Sequence, residues 1–414
     1  MKILVVGGGT GGHVTPAVAV VREVLEKAPG TQVEFWTDRK YYKNVVKITT
    51  ELGVRWGKEA GNGTRKNPYI RVRRISAGKF HRYASWKWKD YFRYFGVVLK
   101  DLIWGNIKGF FGFMSGLVQG FWRLLPRKKR PDVIFLKGGY VCLPVGMVAR
   151  RLKIPYIVHE SDAVPGLANR LLMKNATVVA NGWRGEEEAQ KDGQILEVYT
   201  GIPVAAEFQP VSEAQQRKLK ESFGFNPDEP LLVVTGGSQG ARDINEAVRV
   251  ILPQLLDITG VGLVAGRKYY EEVVDLKKYE DWEKAKLKSN FRMWEFNSAM
   301  HELLGAADVV ISRAGATTIA ELAALEKAVI LVPYERLPGG HQMKNARDLG
   351  KSEAVLVVEN ERMVARPVRL LEKVESLVKS KRERQKLARN LHEQAVPDAA
   401  SRLATILIDV AKGA

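Results

Sequence analysis

Three stretches of this chain join glycine to a hydroxyl or ionisable side chain in a spacing that suits phosphate. The first, Gly7-Gly8-Gly9-Thr10-Gly11-Gly12-His13, directly follows the apolar run Ile3-Leu4-Val5-Val6. A glycine turn from strand into helix exposes backbone N–H groups beside a helix N-terminus, and together they attract a diphosphate. Gly7-x-Gly9-x-x-Gly12, with Asp38 closing the next strand, also satisfies the dinucleotide fingerprint, so an oxidoreductase is an open reading. Against it stand His13, an ionisable side chain where the helix should pack on its sheet, and Pro16, expected within the first turn. The second stretch, Thr235-Gly236-Gly237-Ser238-Gln239-Gly240-Ala241-Arg242, repeats the device around a hydroxyl. Ser238 can donate to a phosphate oxygen or serve as a plain helix N-cap. In the third, Ser312-Arg313-Ala314-Gly315-Ala316-Thr317-Thr318-Ile319-Ala320-Glu321, the carboxylate can accept both hydroxyls of a ribose. The plainer alternative for Glu321 is a surface residue stabilised by the helix dipole. No Asp-x-Asp or His/Asp cluster suggests a divalent metal. The single cysteine, Cys142, excludes an internal disulfide and a Cys-based zinc site.

The elements that must position these loops are short apolar strands alternating with helices. Ile3–Val6, Val33–Trp36, Val133–Leu136, Tyr156–Val158 and Thr177–Ala180 read as buried strands of a first half. Leu231–Thr235, Val261–Val264, Val309–Ser312 and Ala328–Val332 read likewise in a second. Such alternation predicts mostly parallel sheets, an α/β class. Strand followed by glycine loop opens both halves, so two Rossmann-like domains are expected, with a ligand in a cleft at the carboxyl ends of their strands. The expected division is 1–204, 205–385 and a helical segment 386–414, in which Asp398 or Ser401 would cap a last helix.

Charge is distributed unevenly. Of 414 residues, 65 are Lys or Arg and 46 Asp or Glu, a net +19. Residues 65–130 alone hold 17 basic and 2 acidic side chains, so this part should face something anionic. The apolar run at the start is too short for a signal-peptide core, so an intracellular protein is expected. Within the basic region, Leu99 to Leu125 carries a helical stripe of small or polar residues: Asp101, Gly105, Lys108, Gly112, Gly116, Gln119 and Arg123. The apolar face carries Leu99, Ile103, Ile107, Phe110, Met114, Leu117, Phe121 and Leu124, with Trp104 and Trp122 near its ends. Pro126 stops the helix, and Arg127-Lys128-Lys129-Arg130 follows. The uncharged stretch is shorter than the roughly twenty residues a spanning helix needs. An apolar, aromatic face bracketed by basic residues suits a helix lying in the plane of an anionic bilayer, over a segment of about 91–130. An ordinary core helix is the alternative, and five glycines from 105 to 120 would weaken either one in water.

Taken together, these motifs resemble the MurG family of bacterial peptidoglycan glycosyltransferases, the undecaprenyldiphospho-muramoylpentapeptide β-N-acetylglucosaminyltransferases. The resemblance rests on Gly8–Val14, Lys137-Gly138-Gly139-Tyr140 and His159-Glu160-Ser161-Asp162 with Pro165-Gly166-Leu167-Ala168-Asn169. It continues through Gly236–Arg242, Ser312–Glu321 and Val332-Pro333-Tyr334 leading to His341-Gln342-x-x-Asn345-Ala346. It implies a GT-B fold, two Rossmann-like domains facing across a cleft. The implied activity moves GlcNAc from UDP-GlcNAc, with inversion, to the C4 hydroxyl of MurNAc in lipid I, making lipid II. It also implies a peripheral protein on the anionic cytoplasmic face of the cell membrane. Cell-wall synthesis proteins are partners it leaves open.

The catalytic residues so implied are His13, as general base, and Asp162 as its competitor. The substrate-binding set is Thr10, Gly11, Gly12, Tyr140, Asp162, Ser238, Gln239, Asn297, Ala316, Thr317, Thr318, Ile319, Ala320, Glu321, His341 and Gln342. Within it Glu321 holds the ribose, Ser238 a donor phosphate and Gln342 the GlcNAc hydroxyls. No metal and no cofactor are implied. The chain departs from the family pattern at Asp162, where Asn is frequent, at Ala205, where an Arg that meets the nucleotide is common, and at His341, where Gln is frequent. Its 79–130 stretch is also longer than usual. Other readings are a different GT-B enzyme with a lipid acceptor, a sugar-nucleotide epimerase of the same fold and a nucleic-acid binder. The last has no recognisable module, and its basic region is interleaved with an apolar stripe, so no nucleic acid is expected.

Overall fold

A computed structural model describes residues 1–59, 70–80, 103–183, 196–273, 287–335 and 340–413. The chain forms two compact units, one of Met1–Ala205 with Pro397–Ala414, the other of Ala206–Val396. The expected terminal segment 386–414 is therefore shared between them. Both units are built on parallel sheets, because their strands are short apolar runs that need a helix layer on each face.

In the first unit, seven strands are β1 (Lys2–Val6), β2 (Gln32–Thr37), β3 (Ile70–Arg74), β4 (Val133–Leu136), β5 (Tyr156–Glu160), β6 (Val178–Asn181) and β7 (Leu196–Tyr199). They lie in the order β3-β2-β1-β4-β5-β6-β7, every pair parallel. Alternate residues of β1 serve opposite faces. Ile3 and Val5 pack with Val14, Ala17, Val21 and Val24 of helix α1 (Gly11–Lys27). Leu4 and Val6 pack with Val141, Val145 and Val148, beneath helix α4 (Cys142–Arg151). Between these in sequence lie α2 (Tyr42–Glu59) and α3 (Gly105–Leu124); α5 (Leu167–Met173) follows β5. Because α1 starts at Gly11, Pro16 stands in its second turn and not its first.

Among the described residues, the second unit has six strands: β8 (Leu231–Thr235), β9 (Gly260–Val264), β10 (Phe291–Trp294), β11 (Val309–Ser312), β12 (Ala328–Leu331) and β13 (Leu356–Val357). Their order is β10-β9-β8-β11-β12-β13, again all parallel. The helices that bear on function are α7 (Arg242–Leu256) after β8, α9 (Ala316–Ala324) after β11 and α10 (His341–Lys351) after β12. Ile244, Val248, Ile251 and Leu255 of α7 fill one core face with Leu232 and Val234 of β8.

The last helix, α14 (Ala399–Lys412), returns to the first unit and lays Leu403, Ala404 and Leu407 into the core that holds α1. Lys27 Nζ donates to Ser401 O at 3.1 Å and Thr405 Oγ1 at 2.7 Å. Asp398 is the N-cap residue, but its side chain pairs with Arg402 and makes no capping hydrogen bond.

In each sheet the strand order reverses direction beside the first strand, between β1 and β4 and between β8 and β11. Doubly wound sheets bind ligands outside the carboxyl ends of such strands. The glycine loops sit at those ends.

Candidate functional site

The loop after β1 is shaped by glycine at positive φ. Gly9 adopts φ +83°, and a Cβ there would come within 2.8 Å of the Tyr140 ring. Asp38, closing β2, braces this loop. Its Oδ2 accepts from Gly9 N–H at 2.8 Å and from the Tyr140 hydroxyl at 2.7 Å, while Oδ1 accepts from Tyr41 N–H at 2.9 Å. The acid that would hold a ribose in a dinucleotide-binding protein is thus committed to the protein's own donors, which removes the support it gave to an oxidoreductase. Burial and the Asp38 hydrogen bond push the Tyr140 phenol well up, so it stays a donor.

His13 projects from the first turn of α1 onto Gly138 and Gly139, which follow β4. Cβ atoms at those two glycines would lie 3.4 Å from His13 Nδ1 and 3.0 Å from its Cδ2. Nδ1 is buried and makes no hydrogen bond, while the residue as a whole keeps partial exposure. Burial, and secondarily the Lys137 ammonium, lower the imidazole to about 3, so the ring is neutral at pH 7. A neutral imidazole with an exposed edge can accept a proton.

Beneath His13 lies a buried polar cluster built from the ends of β4 and β5. Lys137, 1% exposed, donates to Ser161 Oγ. Glu160 accepts from Asp162 N–H at 2.9 Å, Gly166 N–H at 3.1 Å and Asn169 Nδ2 at 2.9 Å. Its carboxylate therefore holds the turn that carries Asp162, which is half-buried. Thr10, Gly11, Gly12, Tyr140 and Asp162 all stand on loops or first turns at the β1–β4–β5 end of this sheet. Asp38, Lys137, Glu160 and Asn169 stand in the motifs quoted from the sequence, but the reading of those motifs gave them no role in this cluster. A lysine ending the buried run Val133–Leu136 was the available signal for one of them.

On the same unit, α3 reverses the expected use of its glycines. Gly109, Gly116 and Gly120 are buried, and Cβ atoms on Gly109 and Gly116 would lie 2.8 Å from Lys79 O and 2.2 Å from Ser76 O. The small stripe lets the helix lie directly on the backbone of 76–80. Gln119 reinforces this, accepting from Ser76 N–H at 3.0 Å and donating to Ser76 Oγ at 2.8 Å. The apolar side is left outward: Ile103, Trp104, Ile107, Phe110, Phe111, Met114, Val118, Trp122 and Leu125 are exposed. Leu117, Phe121 and Leu124, expected on that face, turn toward the α4 core instead. Arg127, Lys128 and Lys129 are exposed, whereas Arg130 caps the helix end by donating to Leu124 O and Leu125 O. Leu99, Asp101 and the 91–102 part of the expected membrane segment lie outside the described residues. Among those described, no helix is long and apolar enough to cross a membrane.

In the second unit, the loop after β8 turns through Gly237 (φ +72°) and Gly240 (φ +71°). A Cβ on Gly240 would come within 2.6 Å of Ala265 O, so the loop packs against the end of β9. The N-cap of α7 is Ala241, not Ser238, which instead stands exposed with Gln239 at the loop's crest. The turn after β11 lies alongside. Thr318 Oγ1 is 4.0 Å from where a Gly237 Cβ would be, and Gly315 caps α9. Ala316 and Ile319 are buried in the core, Thr317, Thr318 and Ala320 partly so. Glu321 is half-buried, and that burial raises its carboxyl to about 8.

A network joins these turns. Arg313 donates to Asn360 Oδ1 at 2.6 Å and Val332 O at 3.2 Å, and Asn360 donates to Asp243 Oδ2 at 3.0 Å in the first turn of α7. Gln342 Oε1 accepts from Tyr334 N–H at 3.0 Å, and Asn345 donates to Ala314 O at 3.2 Å. His341 opens α10 after Gly340. Asn297, past β10, accepts from Ala299 N–H at 2.8 Å and so orders its own turn. Among the described residues, no group of three His, Cys, Asp or Glu side chains could hold a metal ion.

Two doubly wound units, each with a glycine-turned loop where its strand order reverses, define the GT-B class of fold. Similarity to known proteins makes the assignment specific. Residues 3–181 match the glycosyltransferase family 28 N-terminal domain, and 231–403 match the family 28 C-terminal domain. The chain belongs to glycosyltransferase family 28. It is 32% identical, over the full length of both chains, to the UDP-N-acetylglucosamine–N-acetylmuramyl-(pentapeptide) pyrophosphoryl-undecaprenol N-acetylglucosamine transferase of Listeria monocytogenes. It is equally 32% identical, again over both full lengths, to the enzyme of that name from Bacillus subtilis. Its fold is similar to that of MurG from Acinetobacter baumannii, at TM-score 0.63 and 22% identity over 99% of each chain. It is similar also to the calicheamicin glycosyltransferase CalG4, at TM-score 0.63 and 13% identity over 100% of this chain and 98% of that one.

Proposed function

We propose that this glycosyltransferase moves GlcNAc from UDP-GlcNAc to the C4 hydroxyl of MurNAc in undecaprenyl-diphospho-MurNAc-pentapeptide, lipid I, giving lipid II. What supports the reading is that each unit has its own glycine-turned loop at the end of its first strand, one of them with a neutral imidazole on its rim. One loop cradles the nucleotide diphosphate and the other the lipid diphosphate. In the second unit Glu321 takes the ribose hydroxyls, the α9 turn the base, Ser238 and Gln239 the diphosphate, and Gln342 with His341 the sugar; Asn297 completes the donor contacts. In the first, Thr10, Gly11 and Gly12 hold the acceptor diphosphate, with Tyr140 and Asp162 beside it.

In the reaction the acceptor O4 forms a bond to C1 of GlcNAc as the bond from C1 to UDP breaks, so the anomeric centre inverts. His13 Nε2 takes the O4 proton, and UDP departs with the bonding pair, stabilised by Ser238 and the N-terminus of α7. The acceptor diphosphate brings negative charge beside His13 and raises its basicity once the acceptor is seated. The outward apolar face of α3, with Arg127–Lys129, lies in the headgroup region of the cytoplasmic membrane face and brings the first cradle to a lipid-anchored substrate.

The test is transfer of labelled GlcNAc from UDP-GlcNAc into butanol-extractable lipid, with and without a lipid I analogue and with EDTA present. Label entering lipid only with the analogue supports the reading. Label recovered only as an epimerised sugar nucleotide refutes it. His13→Ala should lower kcat by roughly 10²–10⁴ without changing UDP affinity. Loss of turnover in Asp162→Ala but not in His13→Ala would move the base to Asp162.

A further inference from the structure

The mechanism above leaves one buried charge without a task. Lys137 is enclosed at the carboxyl end of β4, and its one hydrogen-bond partner among the described residues is a neutral hydroxyl, Ser161 Oγ. Among the described residues, no carboxylate forms an ion pair with it. Glu160 is engaged by Asp162 N–H, Gly166 N–H and Asn169, and Asp162 acts on the ammonium only through space. An enclosed ammonium so lightly compensated is costly, and a well-packed apolar side chain would be tolerated at least as well. Lys137 also directly precedes Gly138 and Gly139, the pair whose missing side chains leave room for the His13 ring.

We propose that Lys137 is a positioning residue: its ammonium, buried on Ser161 directly before the glycine pair that carries the His13 ring, holds that imidazole as a neutral base when an anionic acceptor fills the loop. This rests on the function proposed above. The physical need is specific. A diphosphate and an anionic membrane both favour imidazolium, and an imidazolium would bind the acceptor yet be unable to take its proton. A fixed cation close to the ring offsets that field. The direction agrees with the site's electrostatics, in which Lys137 lowers His13 and also the neighbouring His159. Glu160, Asp162 and the Cys142 thiol are the groups that face Lys137 itself; burial outweighs them and lowers the ammonium to about 8. The effect should therefore fade above pH 8, as Lys137 loses its charge.

The test compares the full-length wild type with Lys137→Met and Ser161→Ala. Titration of His13 is followed by its ring NMR signal, assigned through His13→Gln. In Lys137→Met the midpoint of the His13 titration should rise by about 1 in pH, and the thermal midpoint should be no lower than that of the wild type. With acceptor present, a shift of that size means kcat in this variant should fall about tenfold between pH 8.5 and pH 6, where that of the wild type falls only about twofold. Ser161→Ala keeps the charge, so its His13 transition should not move, while its acceptor KM should rise as the Asp162 turn loosens. A Lys137→Met protein with an unmoved His13 transition, or one that fails to fold, overturns the proposal, since either makes Lys137 purely structural. The His13 titration needs no substrate. Failure of lipid transfer would therefore sink the function proposed above without being confused with failure of this one.

Discussion

Replacement of Glu321 by Gln tests the donor half of the site through two independent quantities. Burial raises this carboxyl from about 4.5 to about 8. Every tenfold change in proton affinity is worth about 1.4 kcal/mol, so full enclosure would carry roughly 5 kcal/mol. The side chain keeps partial exposure, and about half that, 2–3 kcal/mol, is the fitting expectation. The sign follows from proton binding. Between pH 4.5 and 8 the folded protein holds a proton that the unfolded chain has released, so stability falls as pH rises through this window. Glu321→Gln should flatten that slope and be the more stable protein at pH 8, as read by urea unfolding at several pH values. The second quantity is proton release. If the carboxylate accepts the ribose hydroxyls, UDP must expel the proton, and calorimetry in buffers of different ionisation enthalpy at pH 7 should find close to one proton released. Glu321→Gln should release none and bind UDP more weakly by roughly 1.5–3 kcal/mol. Equal UDP affinity in the variant, with unchanged proton release, would refute the ribose assignment even if the stability slope behaves as expected.

Two further outcomes concern the first unit. Asp38→Ala strands the Gly9 N–H and the Tyr140 hydroxyl, and should lower unfolding stability by about 2–4 kcal/mol while raising the acceptor KM; Tyr140→Phe should do the second with much less of the first, as denaturant unfolding and initial-rate kinetics will show. Replacing Phe110, Phe111, Val118 and Trp122 with Ser should release the protein from anionic vesicles in a flotation assay and leave thermal stability unchanged, because these side chains already face outward. Unfolding of that variant, or equal binding to neutral vesicles, would count against the membrane role.

The legible parts of the fold were those written locally. Ile3–Val6 and Leu231–Thr235 are apolar on both faces, and the glycines that follow are needed where the chain turns at positive φ, so strand, loop and helix could be read in order. β3, β7, β10 and β13 were not anticipated. Sequences such as Ile70-Arg71-Val72-Arg73-Arg74 and Leu196-Glu197-Val198-Tyr199 are outer members of the sheet and carry little apolar signal. The outward side of α3 lies about one residue out of phase with the stripe that its periodicity suggests. Whether a glycine stripe faces solvent or a neighbouring backbone depends on 76–80, about thirty to forty residues earlier, and no helical period contains that information. The same holds for the site. His13 and Glu321 announce themselves by type and place, whereas the engagement of Asp38 with Gly9 and Tyr140 joins three separate parts of the chain.

The closing helix sets an order of events during synthesis. Leu403, Ala404 and Leu407 belong to the same core as Val14, Ala17 and Val21, so the helix that carries His13 lacks part of its packing until residues 399–412 have emerged from the ribosome. The second unit, Ala206–Val396, has no such dependence and can complete its core first, although its sequence comes later than most of the first. The half that comes first in the chain is thus the half that finishes folding. Until it does, the nascent chain holds the outward apolar face of α3 on an unfinished scaffold, a segment that either a chaperone or the membrane itself must shield.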